Sequence, residues 1–153
     1  MITKDIQEFC LKLGSVGVIL AIDFGTKKLG LAISDPSRIM AMPLSVIPAE
    51  ISQLKAIIEQ RKPAGIVMGL PINMDGTSGA QAALVEKFAQ KLFGLCELPI
   101  LLQDERLTTR AASNALKILG LNRKLRDSRD DQVAACMILE TALERALNSL
   151  PRT

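Results

Sequence analysis

The sequence predicts an α/β domain in which three antiparallel strands lead into parallel strand–helix–strand units. Together they form one mixed central sheet flanked by helices, with a helical extension in front. Three observations predict it. First, the apolar, β-branched runs Val16–Phe24, Leu29–Ser34 and Met42–Ile47 are separated only by the turn-rich Gly25-Thr26-Lys27-Lys28 and Asp35-Pro36-Ser37-Arg38. Such short connections close antiparallel hairpins and cannot hold a parallel crossover. Second, the rhythm then changes to strand-like runs alternating with helix-length amphipathic segments, which is the pattern of parallel βαβ units. Third, no repeat, low-complexity tract or linker divides the 153 residues, a length that suits one domain.

The elements follow in order. Ile2, Ile6, Phe9 and Leu13 mark one face of a short helix that Gly14-Ser15 ends. Residues 1–15 are therefore expected to form an N-terminal helical extension docked on a single domain of residues 16–153. After the three strands, Ile51, Leu54, Ile57 and Ile58 share a helical face closed by Arg61-Lys62-Pro63. Ala64–Leu70 reads as a buried strand ended by Pro71, and residues 78–93 as a helix with Leu84, Phe88 and Leu92 at four-residue spacing. Leu98–Gln103 is the last strand. Helices over 108–119, stopped by Gly120, and over 130–148 complete the chain.

Composition narrows the chemistry. An apolar fraction of 48% supports a real core, and a net charge of +3 leaves the partner open. Cys10, Cys96 and Cys136 form no CxxC pair, which fits a reducing cytoplasm. The charges within residues 1–13 exclude a secretory signal, and no run is long enough for a membrane span, so a soluble, cytoplasmic protein is expected. Histidine is absent, which removes histidine triads, histidine zinc sites and histidine bases together.

Carboxylates stand in unusual places. Asp23 lies inside the apolar strand Ala21-Ile22-Asp23-Phe24, where a charge is costly unless something pairs with it. Asp104 and Glu105 end the apolar strand Leu98–Leu102, and adjacent strand residues point to opposite sides, so one of the two faces the side of Asp23. Asp130 and Asp131 open a long helix, an ordinary place for aspartate that gains weight only beside the other two. Two carboxylates about 4 Å apart repel by roughly 4 kcal/mol at an effective dielectric of about 20, so convergence calls for a cation. With only oxygen ligands to offer, Asp23, one of Asp104 and Glu105, and one of Asp130 and Asp131 would suit one or two Mg²⁺ or Mn²⁺ ions, a chemistry that hydrolyses phosphodiesters without histidine.

A basic stretch borders these acids. Arg106, Arg110, Lys117, Arg123, Lys124, Arg126 and Arg129 are opposed within it only by Asp127, giving +6 in a chain of +3. With Lys27 and Lys28 it forms the expected nucleic-acid-binding set, acting mainly on phosphates. With four phenylalanines as the only aromatics, base stacking contributes little. The Gly69–Gly79 loop lacks the Gly-Lys-Ser/Thr ending of a P-loop, though its amides, at a helix start, could receive phosphate.

Several segments together resemble a known family. They are Ile22-Asp23-Phe24-Gly25-Thr26-Lys27-Lys28-Leu29-Gly30-Leu31-Ala32, Ile33-Ser34-Asp35-Pro36, Gly69-Leu70-Pro71 with Asn73-Met74-Asp75-Gly76, Asp104-Glu105-Arg106-Leu107-Thr108-Thr109, and Asp131 before Ala134-Ala135. Occurring in order over residues 17–147, they are similar to the YqgF family, also called RuvX, whose members are described as pre-16S rRNA nucleases or Holliday junction resolvase homologues. The resemblance implies an RNase H-like fold, with Asp23, Glu105 and Asp131 as catalytic, metal-holding acids. It also implies a cytoplasmic role in 5′-end maturation of the 16S rRNA precursor, acting on pre-rRNA or the small-subunit precursor as a monomer or homodimer. Lys28 stands where the family usually has arginine, Leu29 where it has isoleucine, and the extension at 1–15 is additional.

Three other readings stay open on these residues. A Holliday junction resolvase would cut four-way DNA junctions. A non-catalytic RNA-binding assembly factor would use the basic stretch alone. An actin-like or sugar-kinase ATPase shares an Asp23-Phe24-Gly25-Thr26 loop, but it needs two domains to clamp ATP, and 153 residues hardly provide them.

Overall fold

The computed structural model describes residues 1–73, 75–107 and 126–149, with side chains in the last segment from Gln132 onward. Among these residues the chain forms β1 (Ile2–Thr3), α1 (Ile6–Leu13), β2 (Ile19–Phe24), β3 (Lys28–Ser34), β4 (Ala41–Pro48), α2 (Ile51–Arg61), β5 (Gly65–Leu70), α3 (Ala80–Cys96), β6 (Ile100–Asp104) and α4 (Arg126–Ser149). The strands make one sheet in the order β1-β6-β5-β2-β3-β4. The pairs β2–β3 and β3–β4 are antiparallel, whereas β2–β5, β5–β6 and β1–β6 are parallel. This is the mixed α/β architecture expected from the connection lengths. The helix expected over 108–119 lies outside the described residues.

Alternation along the strands divides the core into two layers. Leu20, Ile22, Leu31, Ile66, Met68, Ile100 and Leu102 face α2 and α3, which contribute Leu54, Ile58, Ala82, Val85, Ala89 and Leu92. Ile19, Ala21, Val67 and Leu101 face α1 and α4, through Phe9, Leu13, Ala135, Leu139, Ala142 and Leu143. The buried face of α3 differs from the expected one. Leu84 is 42% exposed, and the small residues Ala82 and Ala89 share the contact with Val85 and Leu92. Spacing of large residues alone misses a face built partly from alanine.

Several boundaries differ from the expected ones for physical reasons. Ile2, expected on the helix face, instead forms with Thr3 a parallel strand at the β6 edge, paired with Ile100 and Leu101; two residues are too few to show strand alternation. Strand β2 begins at Ile19 instead of Val16, because Gly17 sits at φ 125°. Gly25 closes the hairpin to β3 so tightly that a Cβ there would lie 2.6 Å from the Lys28 carbonyl oxygen. Helix α4 already includes Arg126, so residues 126–129, expected to precede the helix over 130–148, are helical; polar residues propagate a helix without showing apolar periodicity.

The extension is tied down by more than its apolar face. Asp5 caps α1 by accepting from the amides of Gln7 and Glu8. At the other end Arg38 donates to the carbonyls of Gly17 (2.8 Å), Gly14 (2.9 Å) and Leu13 (3.3 Å). Arg38→Ala is expected to destabilise the fold by about 1–3 kcal/mol, since charged donors make the stronger hydrogen bonds. Urea unfolding with an unchanged slope would measure this. Among the described residues no helix is long and apolar enough to cross a membrane.

Candidate active site

The parallel strands β2, β5 and β6 all end on the same side of the sheet, and β3 begins there. Asp23, next to last in β2, follows Ile19 and Ala21 in alternation and so faces α4. Gly69 and Gln103 pair with each other on β5 and β6 and follow Val67 and Leu101 on the same face. A groove of about 190 Å³ opens there, lined by Asp23, Gln103, Glu105 and Leu107 from the sheet side and Ala134, Met137, Ile138 and Thr141 from α4.

Glu105 enters this groove by a particular route. The chain bends directly after β6, and the Glu105 amide donates to the Leu70 carbonyl at 3.0 Å. Although the residue as a whole is exposed at the bend, its side chain turns back across β5. A Cβ placed on Gly69 would lie 2.5 Å from Glu105 Oε1 and 2.7 Å from Ile138 Cδ1. Withdrawal from water, and then the neighbouring Asp104 charge, push the Glu105 carboxyl pKa above its ordinary value.

Asp104 points the other way, as alternation requires. Its carboxylate accepts from the Arg106 amide (2.9 Å) and forms an ion pair with the Arg106 guanidinium (Nη2–Oδ2 2.7 Å). The Arg106 hydrogen bond, the largest stabilising influence, holds its pKa below the usual carboxylate range. Arg106, expected to hold nucleic acid, is thus engaged with Asp104 and lines a neighbouring groove with Asp104, Lys4 and Arg145. Lys27 and Lys28 lie at the turn into β3, exposed, at the same end of the sheet but not in the groove.

The backbone of Asp131 lies within α4. Arg126 and Arg129 also have helical backbone positions in the first turns of α4, and Arg110, Lys117, Arg123 and Lys124 lie outside the described residues. The loop before α3 bonds largely to itself. Asn73 donates to the Thr77 hydroxyl, and the Thr77 amide and hydroxyl donate to Asp75.

Sequence reasoning gave no site role to Gln103 or Thr141, and read Gly69 only as part of a turn-rich loop and of a family segment, whereas it lies inside β5. Gln103 is 2% exposed and uses both ends, donating to the Ile138 carbonyl (2.9 Å) and accepting from Arg145 (3.0 Å). It pins α4 over β6. The Thr141 hydroxyl is buried with no hydrogen-bond partner among the described residues. A polar residue closing a buried strand was the available signal for Gln103; Thr141 gave none.

The donors suit a hard divalent cation. Asp23 and Glu105 offer carboxylate oxygens, and the orphaned Thr141 hydroxyl adds an unmet polar group. Cys136 offers no alternative soft ligand, because burial, then Glu140, push its thiol up to about 12 and keep it protonated. No cluster of three or more metal-ligating side chains is found among the described residues, which include two of the three expected acids.

Comparisons with known proteins give the family and the fold. The model of the RuvX family, described as Holliday junction resolvase, matches residues 17–145. A protein of Rickettsia bellii (strain OSU 85-389) named "Putative pre-16S rRNA nuclease" is 50% identical over 155 residues, spanning 98% of this chain and all of that one. One of Rickettsia felis with the same name is also 50% identical, over 94% of this chain and 97% of its own. Among solved structures, T. thermophilus RuvC in complex with Holliday junction substrate covers 87% of this chain and 97% of its own at TM-score 0.55 and 14% identity. The fowlpox virus Holliday junction resolvase covers 84% and 99% at TM-score 0.52 and 14% identity. At such identities the likeness is one of fold, and the fold is RNase H-like. With a family match over most of its length and relatives half identical from end to end, the chain belongs to the RuvX family.

Proposed function

We propose that this protein is a metal-dependent endonuclease that hydrolyses nucleic-acid phosphodiesters in 5′-end processing of pre-16S rRNA. The observation that carries this reading is the meeting of Asp23 and Glu105, 82 positions apart, in one groove at the strand ends. Position 131 precedes Ala134, Ile138 and Thr141 by three, seven and ten residues, the spacing of one helical stripe, and those three line the same groove. The names of the relatives support pre-16S rRNA as substrate.

Asp23, Glu105 and Asp131 would hold one or two Mg²⁺ or Mn²⁺ ions. Such ions, when bound, activate water and neutralise charge on the leaving oxygen. The chain supplies the rest. Glu105, whose charge is costly where it lies, is relieved when a cation sits beside it. Leu107, Ala134, Met137 and Ile138 form apolar walls that thin the water around the reacting phosphate and strengthen the electrostatics there. The basic set, from Lys27 and Lys28 through Arg106 to Arg129, would hold the flanking backbone. A cytoplasmic location fits such a task.

Cleavage of a labelled 16S precursor leader and of a four-way DNA junction tests the reading, with Mg²⁺ and Mn²⁺ each tried. Asp23→Asn is expected to lower RNA cleavage by at least about 100-fold and to keep binding, since even groups that merely support metal ligands are worth about 10–100-fold. Chelator should do the same. Cutting of the junction alone would favour the resolvase reading, which the family description supports. Binding without any cutting would leave a non-catalytic assembly factor, and cutting that persists in chelator would remove the metal.

A further inference from the structure

Gly69 lies within β5, paired with Gln103, in backbone that any residue adopts. Its glycine is therefore not demanded by conformation, and glycine inside a strand weakens it unless something must approach closely. What approaches is Glu105. A Cβ on residue 69 would come within 2.5 Å of Glu105 Oε1, so that the carboxylate would have to move, and within 3.0 Å of its Cγ, a tight contact. Ile138 Cδ1 closes the third side at 2.7 Å.

The backbone of Glu105 is fixed as firmly as its side chain is seated. Its amide is bonded to the Leu70 carbonyl, the Leu107 amide donates to the Asp104 carbonyl at 3.1 Å, and Asp104 Oδ1 accepts from the Arg106 amide. The Arg106 guanidinium then grips both Asp104 oxygens through Nε at 3.1 and 3.0 Å. With the bend held, the Glu105 side chain lies across the bare strand, in the groove that Asp23 also lines.

We propose that Gly69 is a positioning residue, its missing side chain being the seat that holds the Glu105 carboxylate over β5 in the groove shared with Asp23. This inference rests on the nuclease reading for its purpose, but its test does not depend on cleavage.

Mn²⁺ binding, measured by calorimetry on the whole chain, is the first readout, and the melting curve is the second. Gly69→Ala is expected to melt cooperatively and to bind Mn²⁺ about 10–100-fold more weakly, as when a supporting group of a metal site is lost. In a Glu105→Gln background, itself weakened, Gly69→Ala should cost nothing further. Adding Ile138→Val to Gly69→Ala removes the clash with Cδ1, so it should recover the melting temperature but not the affinity; it also serves if Gly69→Ala alone folds poorly. A crystal structure of the variant should show Glu105 turned out of the groove. The inference is overturned if Gly69→Ala binds Mn²⁺ like the wild type. The same holds if the loss persists in the Glu105→Gln background, if Ile138→Val restores affinity, if Glu105 keeps its place, or if Mn²⁺ binding never depends on Glu105. A wild-type protein that binds Mn²⁺ through Glu105 yet cuts neither substrate would end the nuclease reading and leave the seat intact.

Discussion

Glu105→Gln is expected to abolish cleavage, by about 100-fold or more, and at the same time to raise the melting temperature at neutral pH in the absence of divalent ions. The two effects have one cause. Burial first, then Asp104, raise the Glu105 carboxyl pKa in the folded protein, so the folded state binds its proton more tightly than the unfolded chain does. Below the unfolded value, about 4.3, both states are protonated and Glu105 contributes no penalty. As pH rises toward and through the folded pKa, the unfolded state gains more from ionisation and stability is lost; above it the penalty is constant. Glutamine keeps the shape and removes the charge. The gain should be no more than a few degrees, because the residue is partly in water, and it should vanish below about pH 4. Added Mn²⁺ should reverse the order, since a ligand bound only by the folded wild type stabilises it by mass action. Melting curves at pH 3.5 and 7, with and without Mn²⁺, decide the matter; a Glu105→Gln variant less stable than wild type at pH 7 without metal would contradict it.

Phe9→Ala should cost about 3–5 kcal/mol, the range for truncating a fully buried aromatic ring. Phe9 is 1% exposed and belongs to the core layer beneath α4, with Ile19, Val67, Leu101, Leu139 and Leu143. Its ring lies against Gly65, where a Cβ would come within 3.1 Å of it. The ring thus fills the space at the start of β5 in a segment outside the family match at 17–145. Denaturant unfolding measures the loss. A cost under 1 kcal/mol would mean that α1 is an appendage the sheet does not need. A large cost would make the first fifteen residues part of the cooperative unit, consistent with Ile2–Thr3 extending the sheet.

Much of this protein was decided by local sequence. Connection lengths after Phe24 and Ser34 set three antiparallel strands, and the alternation of apolar runs with helical periodicity set the parallel half of the sheet. The odd placement of Asp23 and of the Asp104-Glu105 pair marked the end of the sheet where chemistry could occur, and alternation alone said that only one of that pair would join Asp23. Tertiary structure decided the rest. Which acid turned inward depended on the bend after β6 and on Arg106 capturing Asp104. The importance of Gly69 depended on a side chain 36 positions later lying across it. Gln103 became the pin of α4 only once Ile138 and Arg145 stood opposite. Neither the glycine of a turn-rich segment, nor a polar residue closing a buried strand, nor a threonine in a helix tells its partner from sequence; their roles come from what long-range packing places within a few ångströms.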